Sequence, residues 1–410
     1  MKIAISGLYI KPGQVGGVEQ FLYNILLGLD GAGAENTYYL YCFEDTAEIL
    51  HDLKLSNRFK IRALKRAAGI NRFLVEIFQL PGLLKKDGCR GAWFPNYFLP
   101  PTVRMPSVVT IHDLQFKHLP DLFSRQKRLW MDYAISRTMA KAGQVVTISH
   151  WCAGDIARLY ARRPVVVHNG IAGDFAKAEK GPREVSLEKS KTRLALISHQ
   201  YKHKNIATAI RAMNHLEPKL YALEVIGQID SGTDEVRRAI SDLNPAFEFR
   251  ERGYLKRGEM ARLLGGCDIF IFPSIFEGFG MPVVEAMLGG IPVVASDLPV
   301  LREVSLDKAT YVKEYFNPQA WAGAIGQVRR KIIDCQIETC AAELRARFAP
   351  SVAAAKYCEI FQNTFVDATG MAESSNTKIR DDNMRQAAPP AFLDAGILRI
   401  LPCSNIKTLF

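Results

Sequence analysis

The chain has 410 residues, of which 48% are hydrophobic and 23% charged, a composition typical of globular proteins. No apolar run approaches the roughly 18 residues that a spanning helix needs, so we expect no transmembrane segment. The first residues, MKIAISGLYIKPG, predict a strand and a loop and lack the apolar core and cleavage site of a secretion signal. The net charge of +11 leaves three classes of partner open: nucleic acid, an anionic membrane and an anionic ligand.

The eight cysteines are scattered along the chain, and none forms a C-x-x-C pair. Cys335 and Cys340 are the nearest two, five residues apart on a predicted helix. We therefore expect no zinc site. Reduced, mostly buried thiols fit a cytosolic protein.

Residues 51–90 contain ten lysines and arginines against three acids, interleaved with apolar side chains. The apolar members are Phe59, Ile61, Leu64, Ile70, Phe73, Leu74, Ile77 and Phe78. This mixture predicts either a basic, apolar surface that lies against anionic lipid head groups or an ordinary solvated face.

The first part of the chain, to about residue 165, alternates predicted strands with helices. The strands are predicted at Lys2–Ser6, Tyr38–Phe43, Lys60–Ala63, Ala92–Phe94, Ser107–Ile111 and Val145–Ser149. A helix with an apolar stripe is predicted from about Val18 to Leu29. Such alternation predicts a parallel, doubly wound sheet, which binds ligands at the carboxyl ends of its strands.

Residues 172–191 are charged and contain glycine and proline, which is typical of a linker. The alternation then resumes, with predicted strands at Arg193–Ser198, Leu223–Ile226, Glu248–Arg250 and Asp268–Phe272 and helices at Asn317–Arg330, Gln336–Phe348 and Ser351–Phe365. We therefore divide the chain into a first domain (1–171), the linker, a second domain (192–348) and a terminal helix (349–366). Residues 367–410 are polar and then proline-bearing, so we expect a disordered tail.

The most informative stretch is residues 268–295, DIFIFPSIFEGFGMPVVEAMLGGIPVVA. It predicts a buried strand, a loop, a helix that begins at Met281 and a second buried strand from Ile291 to Ala295. Glu277 lies in the loop and Glu285 in the helix. The free N–H groups of the helix start favour a phosphate, and the loop glycines let the backbone approach a ligand. The arrangement suits a nucleotide whose hydroxyls are bound by the two acids; an ordinary turn with solvated acids is the alternative.

The string FEGFGMPVVEAM within this stretch resembles the E-x7-E signature of the retaining GT-B glycosyltransferases of family 4, the glycosyl transferases group 1. The resemblance covers about residues 1–365. It implies a GT-B fold, in which two Rossmann-like, doubly wound parallel-sheet domains enclose a cleft and the last helix crosses back onto the first domain. It also implies that the second domain binds a nucleotide-diphosphate sugar and the first domain binds the acceptor.

Three further strings resemble segments of the same family. VVTIHDL implies that His112 lines the site near the donor sugar, with Asp113 orienting the loop. HKNIATAIRA implies that Lys204 binds the donor pyrophosphate. The GGVE loop implies that Gly16 and Gly17 face the diphosphate across the cleft.

The resemblance also distributes roles over the remaining positions. It implies that Glu277 binds the hydroxyls of the donor sugar and that Glu285 binds the ribose. Many members carry an arginine where this chain has Ser198, so diphosphate neutralisation rests on Lys204, helped by His203. The implied catalytic residues are His112, Lys204 and Glu277. The implied donor-binding residues are Gly16, Gly17, Ser198, Lys204, Tyr254, Gly278, Phe279, Gly280, Met281 and Glu285.

A later segment, Leu298–Val304, also resembles the family, which usually has an acid at the position of Glu303. An ordinary helix-start residue explains this acid equally well.

The activity implied is retaining transfer of a hexose from a nucleotide-diphosphate sugar. GDP-mannose is the best match, because the GGVE and HKN strings resemble bacterial mannosyltransferases of O-antigen and exopolysaccharide synthesis. The alternative is a rhamnosyl-, glucosyl- or galactosyltransferase that uses a dTDP or UDP donor. The implied acceptor is lipid-linked or a polysaccharide, in lipopolysaccharide and related surface-polysaccharide synthesis. This places the protein in the cytoplasm, peripheral at the inner face of the plasma membrane.

No D-x-D triplet is present, so we expect neither a metal ion nor another cofactor. Nucleic acid is not expected as a partner, since only the net charge favours it. Because Ser198 stands where many family members carry an arginine, a GT-B protein that binds its ligand without activity is an alternative from another functional class. A GT-B epimerase or phosphorylase is a further alternative.

Overall fold

The computed structural model describes residues 1–11, 16–33, 35–66, 72–172, 191–197, 201–227, 234–253, 255, 257–333 and 340–374, with the side chains of the last helix as far as 366. Two parallel sheets, of seven and six strands, are formed within these residues, and helices alternate with their strands. The predicted fold, α/β with two doubly wound parallel sheets, is therefore confirmed.

The first sheet has the strand order β3-β2-β1-β4-β5-β6-β7, and its neighbouring strands are all parallel. The strands are β1 (Lys2–Ser6), β2 (Thr37–Phe43), β3 (Phe59–Leu64), β4 (Gly91–Phe94), β5 (Ser107–Ile111), β6 (Gln144–Thr147) and β7 (Val165–Val166). All residues of β4 and β5 are buried, as expected for strands covered on both faces. The strand order reverses between β1 and β4, so the carboxyl ends there open on a crevice.

The helices of the first half are α1 (Gly17–Gly31), α2 (Glu44–Asp52), α3 (Arg72–Leu74), α4 (Leu80–Asp87), α5 (Gln115–His118), α6 (Arg125–Lys141) and α7 (His150–Tyr160). A π-helical turn, Val75–Gln79, joins α3 to α4, and a 3-10 turn, Pro120–Leu122, follows α5. Serine side chains cap two of the helices: Ser124 Oγ accepts from Lys127 N at the start of α6, and Ser149 Oγ accepts from Cys152 N at the start of α7.

The second sheet has the order β10-β9-β8-β11-β12-β13, again with parallel neighbours. Its strands are β8 (Thr192–Ile197), β9 (Tyr221–Ile226), β10 (Glu248–Glu251), β11 (Ile269–Phe272), β12 (Val293–Ser296) and β13 (Thr310–Val312). Its helices are α8 (Ile206–Met213), α9 (Asp234–Ser241), α10 (Arg257–Gly265), α11 (Met281–Leu288), α12 (Pro299–Val304), α13 (Pro318–Ile333) and α14 (Ala341–Phe348). The strand order reverses between β8 and β11, which brings the segments after these two strands together.

The last helix, α15 (Pro350–Ser374), returns to the first sheet. The Tyr357 hydroxyl lies 2.8 Å from Thr110 Oγ1 on β5. The ring of Phe365 packs over Gly91, where a β-carbon would collide with it. At its start, Pro350 packs against Gly28 of α1, which likewise has no room for a β-carbon. These buried contacts attach the second half of the chain to the first.

Several predicted bounds differ from the observed ones for identifiable reasons. The strand predicted to end at Ser149 ends at Thr147, because Ser149 caps α7. The strand predicted from Ile291 begins at Val293. Helix α15 runs to Ser374, past the predicted start of the tail at 367. The remainder of that tail, 375–410, and most of the predicted linker, 173–190, lie outside the described residues.

Candidate active site

The loop between β11 and α11, residues 273–280, is held from both ends by buried structure. All four residues of β11 are buried, and seven of the eight residues of α11 are buried. Gly280 has φ +90, a left-handed conformation that favours glycine, and it turns the chain into α11. Pro282 lies in the first turn of this helix, where its missing N–H costs nothing. The amino end of α11 is therefore fixed at the carboxyl edge of the second sheet.

Lys204 and Glu277 lie together at this edge. Lys204 ends a 3-10 turn, Lys202–Lys204, and its Nζ donates to Glu277 Oε1 at 2.6 Å. Both side chains are partly open to solvent, at 18% for the lysine and 13% for the glutamate. A ligand that uses either group must therefore share or replace this ion pair.

His112 lies at the end of β5, buried against Phe21 and Tyr97. Its Nε2 is 2.7 Å from the carbonyl oxygen of Pro95, which can only accept, so Nε2 carries the proton. Burial lowers the pKa of His112 from 6.5 to about 4. The ring is therefore neutral at pH 7, with Nδ1 as its acceptor atom.

Asp113 connects the His112 segment with the Lys204–Glu277 pair. Burial raises the pKa of Asp113, and the charges of Glu277 and Lys204 both act on it. Its Oδ1 accepts from the backbone N of Gln115 at 2.9 Å, a bond within the loop that Asp113 is predicted to orient. The structure thus brings the three predicted catalytic residues to one place between the two sheets.

Gly278 is required for packing between the two halves. A β-carbon at Gly278 would lie 2.5 Å from the carbonyl oxygen of His112 and 3.0 Å from the β-carbon of Asp113. Its own carbonyl oxygen accepts from Ser149 Oγ at 2.9 Å. We predicted that Gly278 and Gly280 let the backbone approach a ligand, and that stays a prediction; at both positions protein atoms fill the space that a β-carbon would take. At Gly280 the neighbour is Leu301.

Gly16 and Gly17 lie across the crevice from α11. A β-carbon at Gly17 would be 3.3 Å from Met281 Cε, and both glycines are exposed. Gly16 has φ +57 and precedes α1. Residues 12–15, which precede these glycines in the sequence, lie outside the described residues.

Glu285 is buried in α11, and its carboxylate already has a cationic partner. Arg257 Nη1 lies 3.4 Å from Glu285 Oε1, while Nη2 of the same arginine donates to the carbonyl oxygen of Ala172 at 3.4 Å. Arg257 was not predicted as a site residue, and no motif marks it. A ribose bound by Glu285 would therefore lie beside this guanidinium.

Two further predicted residues are buried. Burial, with the nearby Lys204 charge, lowers the pKa of His203 to about 4, so its ring is neutral at pH 7 and adds no positive charge beside Lys204. The buried ring of Phe279 packs against His168 and Phe348, so its side chain does not face the crevice. Ser198 and Tyr254, both predicted to bind donor, lie outside the described residues.

Among the described residues, His150, His168 and Glu303 form the group with metal-ligand spacing, their ligand atoms all within 4.8 Å of one another. The Glu303 oxygens already accept from His168 Nε2 and from the backbone N–H groups of His150 and Trp151. The arrangement is therefore a complete hydrogen-bonded contact between α12 and α7. The cysteines of the described residues are all free thiols.

The basic segment 51–90 is less apolar at its surface than its sequence predicts. Phe59 and Phe73 are buried, and of the eight apolar residues only Leu74 and Phe78 are exposed among those the structure describes, Ile70 not being one of them. Part of the positive charge is also paired. Three arginines bind acids, in the pairs Arg58–Asp30, Arg62–Asp87 and Arg66–Asp45. No helix in the described part of the chain combines the length and apolar character that crossing a membrane requires.

Comparison with known proteins gives independent evidence on the fold and family. Residues 15–174 match the family model "Glycosyltransferase Family 4", and residues 179–345 match "Glycosyl transferases group 1". The structure of Anabaena Alr3699/HepE in complex with UDP-glucose superimposes with a TM-score of 0.68 at 18% identity, covering 88% of this chain and all of that one.

Two curated relatives are mannosyltransferases. The O-antigen chain mannosyltransferase RfbU of Salmonella typhimurium is 26% identical over 229 residues, which are 54% of this chain and 60% of that protein. The O-antigen chain mannosyltransferase B of Escherichia coli is 27% identical over 222 residues, 51% of this chain and 58% of that protein. The matches thus span less than two thirds of either relative. The superposition shows a fold of the GT-B kind. The two domain matches, which together cover most of the chain, show that it belongs to the glycosyltransferases, with a family 4 domain followed by a group 1 domain.

Proposed function

We propose that the chain is a retaining hexosyltransferase that uses a nucleotide-diphosphate sugar. The observation that carries the proposal is the convergence of Lys204, Glu277 and the amino end of α11 beside His112, at the crevice between the sheets. A cation and the free N–H groups of a helix start are the groups that bind a diphosphate. A carboxylate beside them is an acceptor for sugar hydroxyls.

The donor binds by exchanging partners within the Lys204–Glu277 pair. The diphosphate takes the ammonium of Lys204, the amino end of α11 and the backbone of Gly16 and Gly17. Glu277, released from the lysine, accepts hydrogen bonds from the sugar ring. Glu285, already beside Arg257, holds the ribose. These groups supply positive potential without a metal ion, and a titration of activity with EDTA and Mg²⁺ tests that part of the proposal.

In the chemical step, the bond between the anomeric carbon and the diphosphate oxygen breaks. An acceptor hydroxyl oxygen bonds to the same face of that carbon, and its proton passes to an oxygen of the departing diphosphate. Negative charge develops on the leaving group, so preorganised donors at Lys204 and α11 lower the barrier. The neutral ring of His112 lines the site as a hydrogen-bond acceptor, through Nδ1. Both halves of the chain exclude water from the crevice.

Mannose from GDP-mannose is the proposed donor sugar, because both curated relatives reported above are named as mannosyltransferases. The proposed acceptor is lipid-linked or a polysaccharide, as in O-antigen synthesis. UDP and dTDP donors of glucose, galactose or rhamnose are the competing candidates. A thermal-shift screen of these nucleotide sugars, followed by mass analysis of the product formed on a lipid-linked acceptor, identifies the donor. A chain that binds a nucleotide but transfers no sugar would be an inactive binding protein instead.

The acceptor lipid would place the first half of the chain against an anionic membrane. Phe78 is 70% exposed and Leu129 on α6 is 63% exposed. They are the sequence neighbours of Ile77 and Trp130, which pack against the buried rings of Phe73 and Phe98. Sedimentation with anionic vesicles at low salt tests this surface. We expect Phe78→Asp to weaken binding, whereas Phe316→Asp, at a position 64% exposed in the second half, should not. Equal binding by both variants would contradict the assignment.

A further inference from the structure

The start of helix α7 is completed by a side chain from the other half of the chain. The first amide groups of a helix have no partner within it, and α7 has no acidic residue of its own in its first turn. Glu303, on α12, supplies both carboxylate oxygens: Oε1 accepts from His150 N at 2.8 Å and Oε2 accepts from Trp151 N at 3.1 Å. Ser149 Oγ accepts from the third amide, that of Cys152, at 3.1 Å. The first three amides of α7 are thereby bonded.

A further group from the first half fixes the same carboxylate. His168 Nε2 lies 2.8 Å from Glu303 Oε1, and the His168 ring packs against Phe279 of the β11–α11 loop. Burial opposes the ionisation of Glu303, but the hydrogen bonds from His168 and from the two amides outweigh it and lower the pKa of this carboxyl. Glu303 is therefore an ionised carboxylate between the two halves, at the positive end of the α7 dipole.

The same helix start holds the catalytic loop. The Ser149 hydroxyl that caps α7 donates to the carbonyl oxygen of Gly278, 2.9 Å away, and the thiol of Cys152 lies 3.3 Å from that oxygen. Gly278 follows Glu277 directly and packs on the carbonyl of His112. Any movement of α7 relative to α12 would therefore displace Glu277 relative to His112.

We propose that Glu303 is a positioning residue: by capping α7 from the second half of the chain, it holds the Glu277–Gly280 loop against His112. Only the activity measurement that tests this inference rests on the proposed function. The inference predicts that Glu303 affects the position of the loop, although Glu303 itself does not contact the substrate. A merely local role would stabilise the start of α7 and leave the loop unchanged.

Hydrogen exchange of the full chain separates these roles. Glu303→Gln keeps the volume and removes the charge; Asp307→Asn is the matched control, since Asp307 is an exposed acid four residues later that pairs with Arg302 inside the second half. Hydrogen bonds to a charged group alter an equilibrium by about ten- to a hundredfold. We expect Glu303→Gln to accelerate exchange by about that factor in peptides covering His150–Trp151 and also in those covering Glu277–Gly280. The control should change neither.

Kinetics supply the second measurement. Lys204, the proposed diphosphate ligand, lies outside the loop that Glu303 holds, so we expect the KM for the donor to change by less than about threefold, whereas kcat falls by about tenfold or more. Acceleration confined to His150–Trp151, with kcat unchanged, would overturn the proposal. If Glu303→Gln does not fold, His168→Phe removes one of the three donors and should show the same pattern more weakly. If the wild-type chain transfers no hexose, the proposed function fails, and the exchange measurement still decides whether Glu303 controls the loop.

Discussion

Replacing Gly278 by alanine tests whether the position of the catalytic loop is set by direct packing on His112. The added β-carbon would lie 2.5 Å from the His112 carbonyl oxygen, where an ordinary contact begins at 3.4 Å. Relief therefore requires the loop or the strand end to move by about 0.9 Å, at an overpacking cost of about 1–3 kcal/mol. A displacement of about 1 Å at a catalytic group costs about a hundredfold in rate. We expect Gly278→Ala to lower the melting temperature and to reduce kcat about a hundredfold.

The assay compares melting temperature and kcat with those of Gly323→Ala. Gly323 lies within α13, and a β-carbon there meets no atom within 4 Å. Alanine at such a helical position stabilises by about 0.5–1 kcal/mol. Wild-type kcat in Gly278→Ala, with an unchanged melting temperature, would refute the packing argument. It would mean that the two halves do not meet at Gly278 in solution.

Other substitutions test the charges of the site and the buried histidine. Lys204→Ala should reduce kcat by about 10²–10³-fold, as expected when one preorganised donor to a leaving group is lost. Lys202 is an exposed lysine of the same turn, so Lys202→Ala should leave kcat unchanged. Equal losses of kcat in the two variants would contradict the role of Lys204. Glu277→Gln should abolish most transfer while the melting temperature stays within a few degrees; retained activity would show that this carboxylate does not bind the sugar. The pKa of His112 falls from 6.5 to about 4 on folding, so the unfolded chain takes up this proton first as the pH falls. The contribution of neutral His112 to the free energy of unfolding, about 3 kcal/mol, is complete above pH 6.5 and lost between pH 6.5 and 4. The urea midpoint of His112→Gln should therefore depend less on pH over this range than that of the wild type.

The sequence predicted the architecture well because its signals are local. Buried apolar strands such as Ser107–Ile111 separate clearly from helical stripes, and the alternation of the two specifies a parallel sheet. The resemblance to the family placed Lys204 and Glu277, 73 residues apart, at one donor site, and the structure brings them within 2.6 Å of each other. Both follow strands at the switch point of the second sheet, where such segments meet.

Contacts between the two halves could not be predicted from local patterns. Nothing in the sequence indicates that Gly278 packs on His112, or that Glu303 caps a helix 153 residues away. The same holds for Arg257, which reaches Glu285 from a separate helix. Burial also sets protonation in a way that composition does not show, as at His203, where burial and the neighbouring Lys204 charge both lower the pKa of the ring.

The central claim is that a diphosphate binds at the amino end of α11 beside Lys204. A crystal structure with bound GDP or UDP tests it most directly. We expect the β-phosphate within hydrogen-bonding distance of Lys204 Nζ and of the first amides of α11, with the bond of 2.6 Å between Lys204 and Glu277 broken. A nucleotide bound elsewhere, with that ion pair intact, would contradict the account.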